Sequence, residues 1–249
     1  MEYVLKEAFA TCIAIMAVLF LALSVQAETY YPFPDTGQTM CYDASNNAVS
    51  CETIQPGDPL YGQDAHYQPR LPRSYTKLGH GGTVLPDNAD HVDDGGPWIM
   101  TRDNVTGLIW ELKRNESPHL QNRDNTYTWY DPNPETNGGN AGAQNGGTCA
   151  GSDCDTYSYI QTLNGQQLGG FSDWRLPTRA ELSSLVNRGF VRSAIDTDFF
   201  PNTVSAYYWS STTLAVYTSY AWHVGFYYGH VSHLYKSYSY YVRAVRSGQ

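Results

Sequence analysis

The sequence predicts a loop-rich α+β fold, with two short helices and several small antiparallel sheets. Three observations carry this expectation. A strand–turn–strand pattern spans Thr101–Trp110, two helix signatures lie between Tyr157 and Val186, and only strand-like and turn-like sequence follows Pro201.

In the first pattern, turn residues at Asp103-Asn104 or Thr106-Gly107 separate two short runs, the second ending in Trp110. Residues 131–148 are almost all Pro, Asn, Gly and Gln, which reads as a long surface loop. Tyr157–Leu168 suits a helix, with Tyr157, Ile160, Thr162 and Leu163 near one face and Gly169-Gly170 ending it. The second helix is better marked. Thr178 is placed to cap it, Glu181 stands three residues on to complete a capping box, and Leu182, Leu185 and Val186 share one face.

Ahead of these elements, an apolar run from Ala8 to Val25 ends in Val25-Gln26-Ala27, a small-x-small pattern expected of a cleaved export signal covering residues 1–27. Glu2 and Glu7 against a single Lys6 depart from the positive end such signals carry, so a retained anchor stays open. No other stretch is long and apolar enough to span a bilayer. Residues 28–97, rich in Pro, Gly, Asp and Asn, read as an irregular extension packed on a main domain at 98–249.

Cys12 falls within the signal, which leaves Cys41 with Cys51 and Cys149 with Cys154. Two close pairs in an exported chain favour two local disulfides over a zinc site, because neither pair has C-x-x-C spacing. The acidic run Asp87-Asn88-Ala89-Asp90-His91-Val92-Asp93-Asp94 fits either a solvated turn or a calcium loop. A net charge of −9 disfavours nucleic acid as a partner, since neutralising phosphates takes clustered Lys and Arg.

Four ordered motifs then stand out. They are Asp103-Asn104-Val105-Thr106-Gly107-Leu108-Ile109-Trp110, Phe171-Ser172-Asp173-Trp174-Arg175-Leu176-Pro177-Thr178-Arg179-Ala180-Glu181-Leu182, Tyr208-Trp209-Ser210-Ser211-Thr212 and Tyr241-Val242-Arg243-Ala244-Val245-Arg246. Over roughly residues 98–249 the chain resembles the DUF1566 family, the group that includes the C-terminal domain of the Legionella collagen-like adhesin. The resemblance implies a C-type-lectin-like fold of the variety found in formylglycine-generating enzyme and in target proteins of diversity-generating retroelements. Physically, Trp174, Leu176, Trp209 and Trp222 read as core anchors, and Arg175, Arg243 and Arg246 as partners for buried carbonyls or carboxylates.

Enzymatic chemistry is not expected. The formylglycine-generating reaction uses paired cysteines late in the domain, whereas no cysteine here follows Cys154, and G-x-S-x-G, H-E-x-x-H and phosphate-loop patterns are absent. No cofactor is expected either. His223, His230 and His233 have neither a carboxylate nor a cysteine close by, which argues against zinc.

The last third instead reads as a displayed surface. Ten of the 21 Tyr follow Ser205, and no Asn follows Asn202. Within Ala221–Tyr227 the alternation places Trp222, Val224 and Phe226 inward and His223, Gly225 and Tyr227 outward. Tyr207, Tyr217, Ser219, Tyr220, Tyr228, His230, Ser232, His233, Tyr235, Ser237, Tyr238, Ser239 and Tyr240 complete the expected ligand-binding set. Tyr, Ser, His and Gly are all reachable from an Asn codon by changing adenines alone, as adenine-directed diversification would leave them. Lys236 does not fit that signature.

The expectation is thus an exported, periplasmic, cell-surface or secreted protein that binds a protein or glycan through residues 207–240, with a composition like that of an antibody paratope. A carbohydrate-binding adhesin of fixed specificity is the alternative, and a degenerate enzyme of the formylglycine-generating type the second.

Overall fold

A computed structural model describes residues 32–67, 71–190 and 192–248. The expected signal at 1–27 lies outside them. The described part begins with a hairpin of β1 (Cys41–Tyr42) and β2 (Ala48–Val49). Asp43 shapes its turn by accepting from the Ser45 and Asn47 N–H groups at 2.8 and 2.9 Å. The Cys41–Cys51 disulfide closes this piece over a small core of Cys41, Ile54 and Ala65.

Next come β3 (Tyr75–Leu78), β4 (Met100–Asp103) and β5 (Leu108–Glu111). The expected strand–turn–strand is β4–β5. Asp103 Oδ1 accepts from the Val105 N–H at 2.9 Å, and Gly107, at φ +75°, donates back to the Asp103 carbonyl at 2.8 Å. A left-handed φ there suits glycine, which has no Cβ to clash. β3 pairs with β4, so residues 75–78 of the Pro- and Gly-rich segment are an integral strand of the sheet.

After β6 (Tyr127–Thr128) and the Asn/Gly loop, the Cys149–Cys154 disulfide forms as expected. Helix α1 (Thr156–Gly165) follows, capped by Asp155, whose side chain accepts from the Ser158 N–H. It stops three residues short of the expected Leu168, because Gln167 turns left-handed and a single 3-10 turn takes over at Leu168–Gly170. Helix α2 (Arg179–Ser184) carries the reciprocal Thr178/Glu181 capping box and ends before Leu185.

After Pro201 the regular elements are all strands: β7 (Tyr207–Thr213), β8 (Tyr220–Gly225), β9 (His230–Tyr235), β10 (Ser239–Tyr240) and β11 (Val245–Ser247). The strands build a four-stranded antiparallel sheet in the order β11-β5-β4-β3, a three-stranded one in the order β7-β8-β9, and the pairs β10-β6 and β1-β2. The architecture is α+β and loop-rich.

Between the sheets lies a core of large rings, including Tyr127, Trp129, Tyr159, Trp174 and Trp209, joined by Leu78, Met100, Ile109 and Val242. Burying each such side chain contributes on the order of 2–3 kcal/mol, which a loop-rich chain needs to offset its ordering cost. Arg175 and Arg243 satisfy buried oxygens as expected, whereas Arg246, itself buried, pairs with an exposed carboxylate. Arg175 grips Glu181 in two bonds of 2.8 and 2.7 Å, Arg246 grips Asp173 at 2.7 and 3.1 Å, and Arg243 donates to the Glu111 carbonyl at 2.6 Å. In the acidic run, Asp93 is held by the Arg114 guanidinium, the Asn115 N–H and the Asn202 amide. That satisfies both of its oxygens within the protein.

Candidate functional site

The three-stranded sheet positions most of the expected binding residues. In an antiparallel pair, residues directly opposite share a face. Register therefore puts Tyr220 with Tyr235 and Trp222 with His233 on one face, and His223 with Ser232 and Gly225 with His230 on the other. Strand β7 extends the second face with Tyr207 opposite Gly225 and Trp209 opposite His223.

The expected alternation on β8 is corrected here. His223, expected in solvent, is 1% exposed, and Gly225 is buried as well. Trp222, expected in the core, is only half-buried, although Val224 and Phe226 are fully enclosed. Strand β8 is the middle strand of its sheet and is covered on both sides. Helix α2 packs against β7 and β8 with Arg179 lying 4.6 Å over the Trp222 ring, while Tyr207 and Tyr240 close over His223 from the opposite side.

That enclosure dictates the chemistry of His223. Its ring centroid lies 4.7 Å from Tyr207 and 6.1 Å from both His230 and Tyr240, and neither ring nitrogen has a hydrogen-bond partner. Burial, reinforced by the nearby His230 and His233, lowers its pKa to about 4, so the ring is neutral at physiological pH. Gly225 has its own reason to be small, since a Cβ there would sit 2.6 Å from the His230 ring.

The remaining residues do form an outward patch. Tyr217, Ser219, Tyr228, His233, Tyr235, Ser237 and Tyr238 are exposed, and Tyr207, Tyr220, Tyr227, His230, Ser232, Ser239 and Tyr240 are half-buried. Six tyrosines make one continuous chain of ring contacts. It runs from Tyr217 to Tyr220 (5.9 Å), Tyr235 (4.0 Å), Tyr238 (5.9 Å), Tyr240 (6.4 Å) and Tyr207 (5.4 Å), and then reaches His230 (5.5 Å). Tyr227 and Tyr228 form a separate edge-on pair at 4.4 Å. The hydrogen bond to Tyr235 raises Tyr220 to about 12, so its phenol stays protonated. Such rings offer broad contact area with little entropy to lose, and their hydroxyls can still hydrogen-bond.

Two features escaped the sequence reading. Trp222 belongs to the rim of the patch, 5.4 Å from His233, and its alternation with Val224 gave no sign of this because both lie on the same face at different depths. Lys236, the residue foreign to the diversification signature, is 2% exposed. It donates to the Asn137 and Asn140 carbonyls at 3.0 and 2.6 Å, and burial lowers its pKa to about 8. It therefore serves the scaffold.

The family described as the Lcl C-terminal domain matches residues 99–246. No curated protein and no solved structure matches the chain.

Proposed function

Because the chain belongs to the Lcl C-terminal domain family, we propose that it is an exported, adhesin-like binding module that recognises a protein or glycan through its late tyrosines. The observation that carries this reading is the unbroken ring chain from Tyr217 to Tyr240, with Tyr217, Tyr235 and Tyr238 exposed and Tyr220 and Tyr240 half-buried, carried by β8, β9, β10 and their turns while Val224 and Phe226 are fully enclosed. The module is not an enzyme in this reading, and it needs no cofactor to bind. Two disulfides and an adhesin-like domain are compatible with export, and no helix among the described residues is long and apolar enough to cross a membrane.

In the finer form of the proposal, a retroelement diversifies this surface. The division of labour in the segment supports it: Lys236, Ala221, Val224 and Phe226 serve the interior, while Tyr217, Tyr235, Ser237 and Tyr238 are exposed and contribute nothing to the enclosed core. His223 and Gly225 are then constrained positions inside the segment rather than contact residues.

Sequencing the last forty or so codons in the source genome tests the finer claim. A near-duplicate carrying Asn codons at the exposed Tyr, Ser and His positions, beside a reverse transcriptase gene, is the expected result. An isolated, invariant gene moves the reading to an adhesin of fixed specificity. For binding itself, alanine at Tyr217, Tyr235 and Tyr238 together should abolish attachment to whatever surface the intact chain adheres to, and unchanged attachment would remove the tyrosine patch from the mechanism.

A further inference from the structure

A groove of about 660 Å³ lies between the start of α1, the loop beginning at Asp131 and the Ser211–Thr213 end of β7. None of the six tyrosines of the ring chain lines it, although β7 carries both Tyr207 and the Ser211–Thr213 wall. Its size falls within the ordinary range for small-ligand sites.

The walls combine two kinds of surface. Tyr130 and Tyr157 meet edge-on, their centroids 6.1 Å apart at 90°, and Tyr157 is 41% exposed, so its ring is accessible beside the apolar side chains of Ile160 and Leu176. The polar part is anchored. Asp131 accepts from the Asn133 N–H at 2.9 Å and from the Thr136 hydroxyl at 2.6 Å, one bond to each carboxylate oxygen, which leaves further lone pairs on both. The Thr212 hydroxyl oxygen accepts from the Arg179 N–H at 3.0 Å and retains its own proton to donate. Ser211 is fixed through its N–H to the Pro177 carbonyl at 2.8 Å, a bond that does not involve its hydroxyl.

The surroundings hold this arrangement rigid. The Thr156 hydroxyl bonds both the N–H and the carbonyl of Tyr130 at 2.9 Å, and the Thr213 hydroxyl and Lys236 both bind the Asn137 carbonyl at 3.0 Å. A ligand entering the groove therefore meets groups already in place, which reduces the ordering cost of binding.

A ligand for these walls needs an apolar face to lie on a phenol ring and hydroxyls to engage a carboxylate and two alcohols. A purely apolar ligand would desolvate Asp131 without replacing its hydrogen bonds, a costly exchange. An anion meets the Asp131 carboxylate in a chain of net charge −9, while Arg175, the cation on the lining, is committed to Glu181. We propose that the groove is a binding site for a neutral pyranose sugar, with its C–H face on Tyr157 and its hydroxyls on Asp131, Ser211 and Thr212. The site is independent of the tyrosine patch and does not rest on its reading.

Saturation-transfer NMR on the full chain, with its disulfides formed, tests this against the methyl glycosides of glucose, galactose, mannose and N-acetylglucosamine, with p-cresol as an aromatic probe that lacks a sugar ring. The expected result is transfer to the ring C–H protons of at least one glycoside. Affinity should fall at least tenfold in Tyr157→Ala and in Asp131→Asn, be kept in Tyr157→Phe, and be unchanged in Tyr235→Ala, with circular dichroism confirming that each variant is folded. Three outcomes overturn the proposal: no glycoside bound at millimolar concentration, p-cresol bound in their place, or sugar binding that Tyr235→Ala removes and Tyr157→Ala leaves intact. The last would reassign the sugar to the tyrosine patch, so the two readings fail separately.

Discussion

Lys236 lays its ammonium 3.7 Å from the centre of the Trp129 ring, tying the turn between β9 and β10 to the loop that begins at Asp131. The contact is a cation on an aromatic face, completed by the carbonyls of Asn137 and Asn140. Replacing Lys236 with Met keeps the apolar stem but takes the ammonium donor from the Asn140 carbonyl and leaves the Asn137 carbonyl with the Thr213 hydroxyl. The expected cost is about 2–4 kcal/mol, read from urea unfolding, since hydrogen bonds to a charged donor contribute about 1.5–3 kcal/mol before the ring contact is counted. Hydrogen exchange should accelerate across residues 131–148, and a variant as stable as the parent would show the clamp to be idle.

His223 predicts an acid-sensitive fold. Its pKa is lowered from 6.5 to about 4, so between those values the unfolded chain holds the extra proton and the folded one does not. Stability is therefore full above about pH 6.5 and falls as the pH drops towards 4, by roughly 3 kcal/mol over the window at about 1.4 kcal/mol per unit. Urea midpoints measured from pH 7 to pH 4 should show this slope in the parent and a flatter one in His223→Phe. Asp93 and Glu181, whose pKa values are lowered, lose their contributions only further down, below the usual carboxylate range. Equal slopes in parent and variant would contradict the assignment.

The late tyrosines should divide sharply by position. Tyr217→Ala, Tyr228→Ala and Tyr235→Ala remove rings that are 62%, 67% and 45% exposed, and each should change stability by no more than about 0.5 kcal/mol. Tyr208→Ala empties a fully enclosed site and should cost about 3–5 kcal/mol, as for other large aromatic truncations. Denaturant titration of the four variants decides this, and a large loss at Tyr235 would make the outer rings structural.

The two disulfides should fail differently. Cys41–Cys51 encloses a small cluster distinct from the main core, so Cys41→Ser with Cys51→Ser should admit protease between residues 41 and 67 while fragments beginning near Tyr75 survive. Cys149–Cys154 packs beside the main core and closes a shorter loop, and its loss should lower global stability by about 2 kcal/mol on loop-closure grounds. Limited proteolysis followed by mass mapping separates the two cases, and simultaneous collapse of both regions in the first variant would join them into one unit.

Much of this was open to reading from residue order because the deciding groups are neighbours. Thr178 and Glu181 complete a box three residues apart, Asp103 and Gly107 close their own turn, and each cysteine pair lies within ten residues of its partner. The helix beginning at Thr156 was anticipated too, though its end was not, since Gln167 takes a left-handed turn that no glycine or proline at that position announces.

What alternation along 220–227 determined was that a strand runs there, because a period of two follows from backbone geometry alone. Which of its side chains meet solvent was decided by chain from elsewhere: α2, forty residues upstream, shelters the face of Trp222 and Val224, while Tyr207 and Tyr240 enclose His223 on the other. A central strand lies between two layers, so polarity along it no longer maps onto exposure. The same holds for the Tyr157 groove, whose walls come from segments as far apart in sequence as Trp129 and Thr213 and meet only once the sheets have packed.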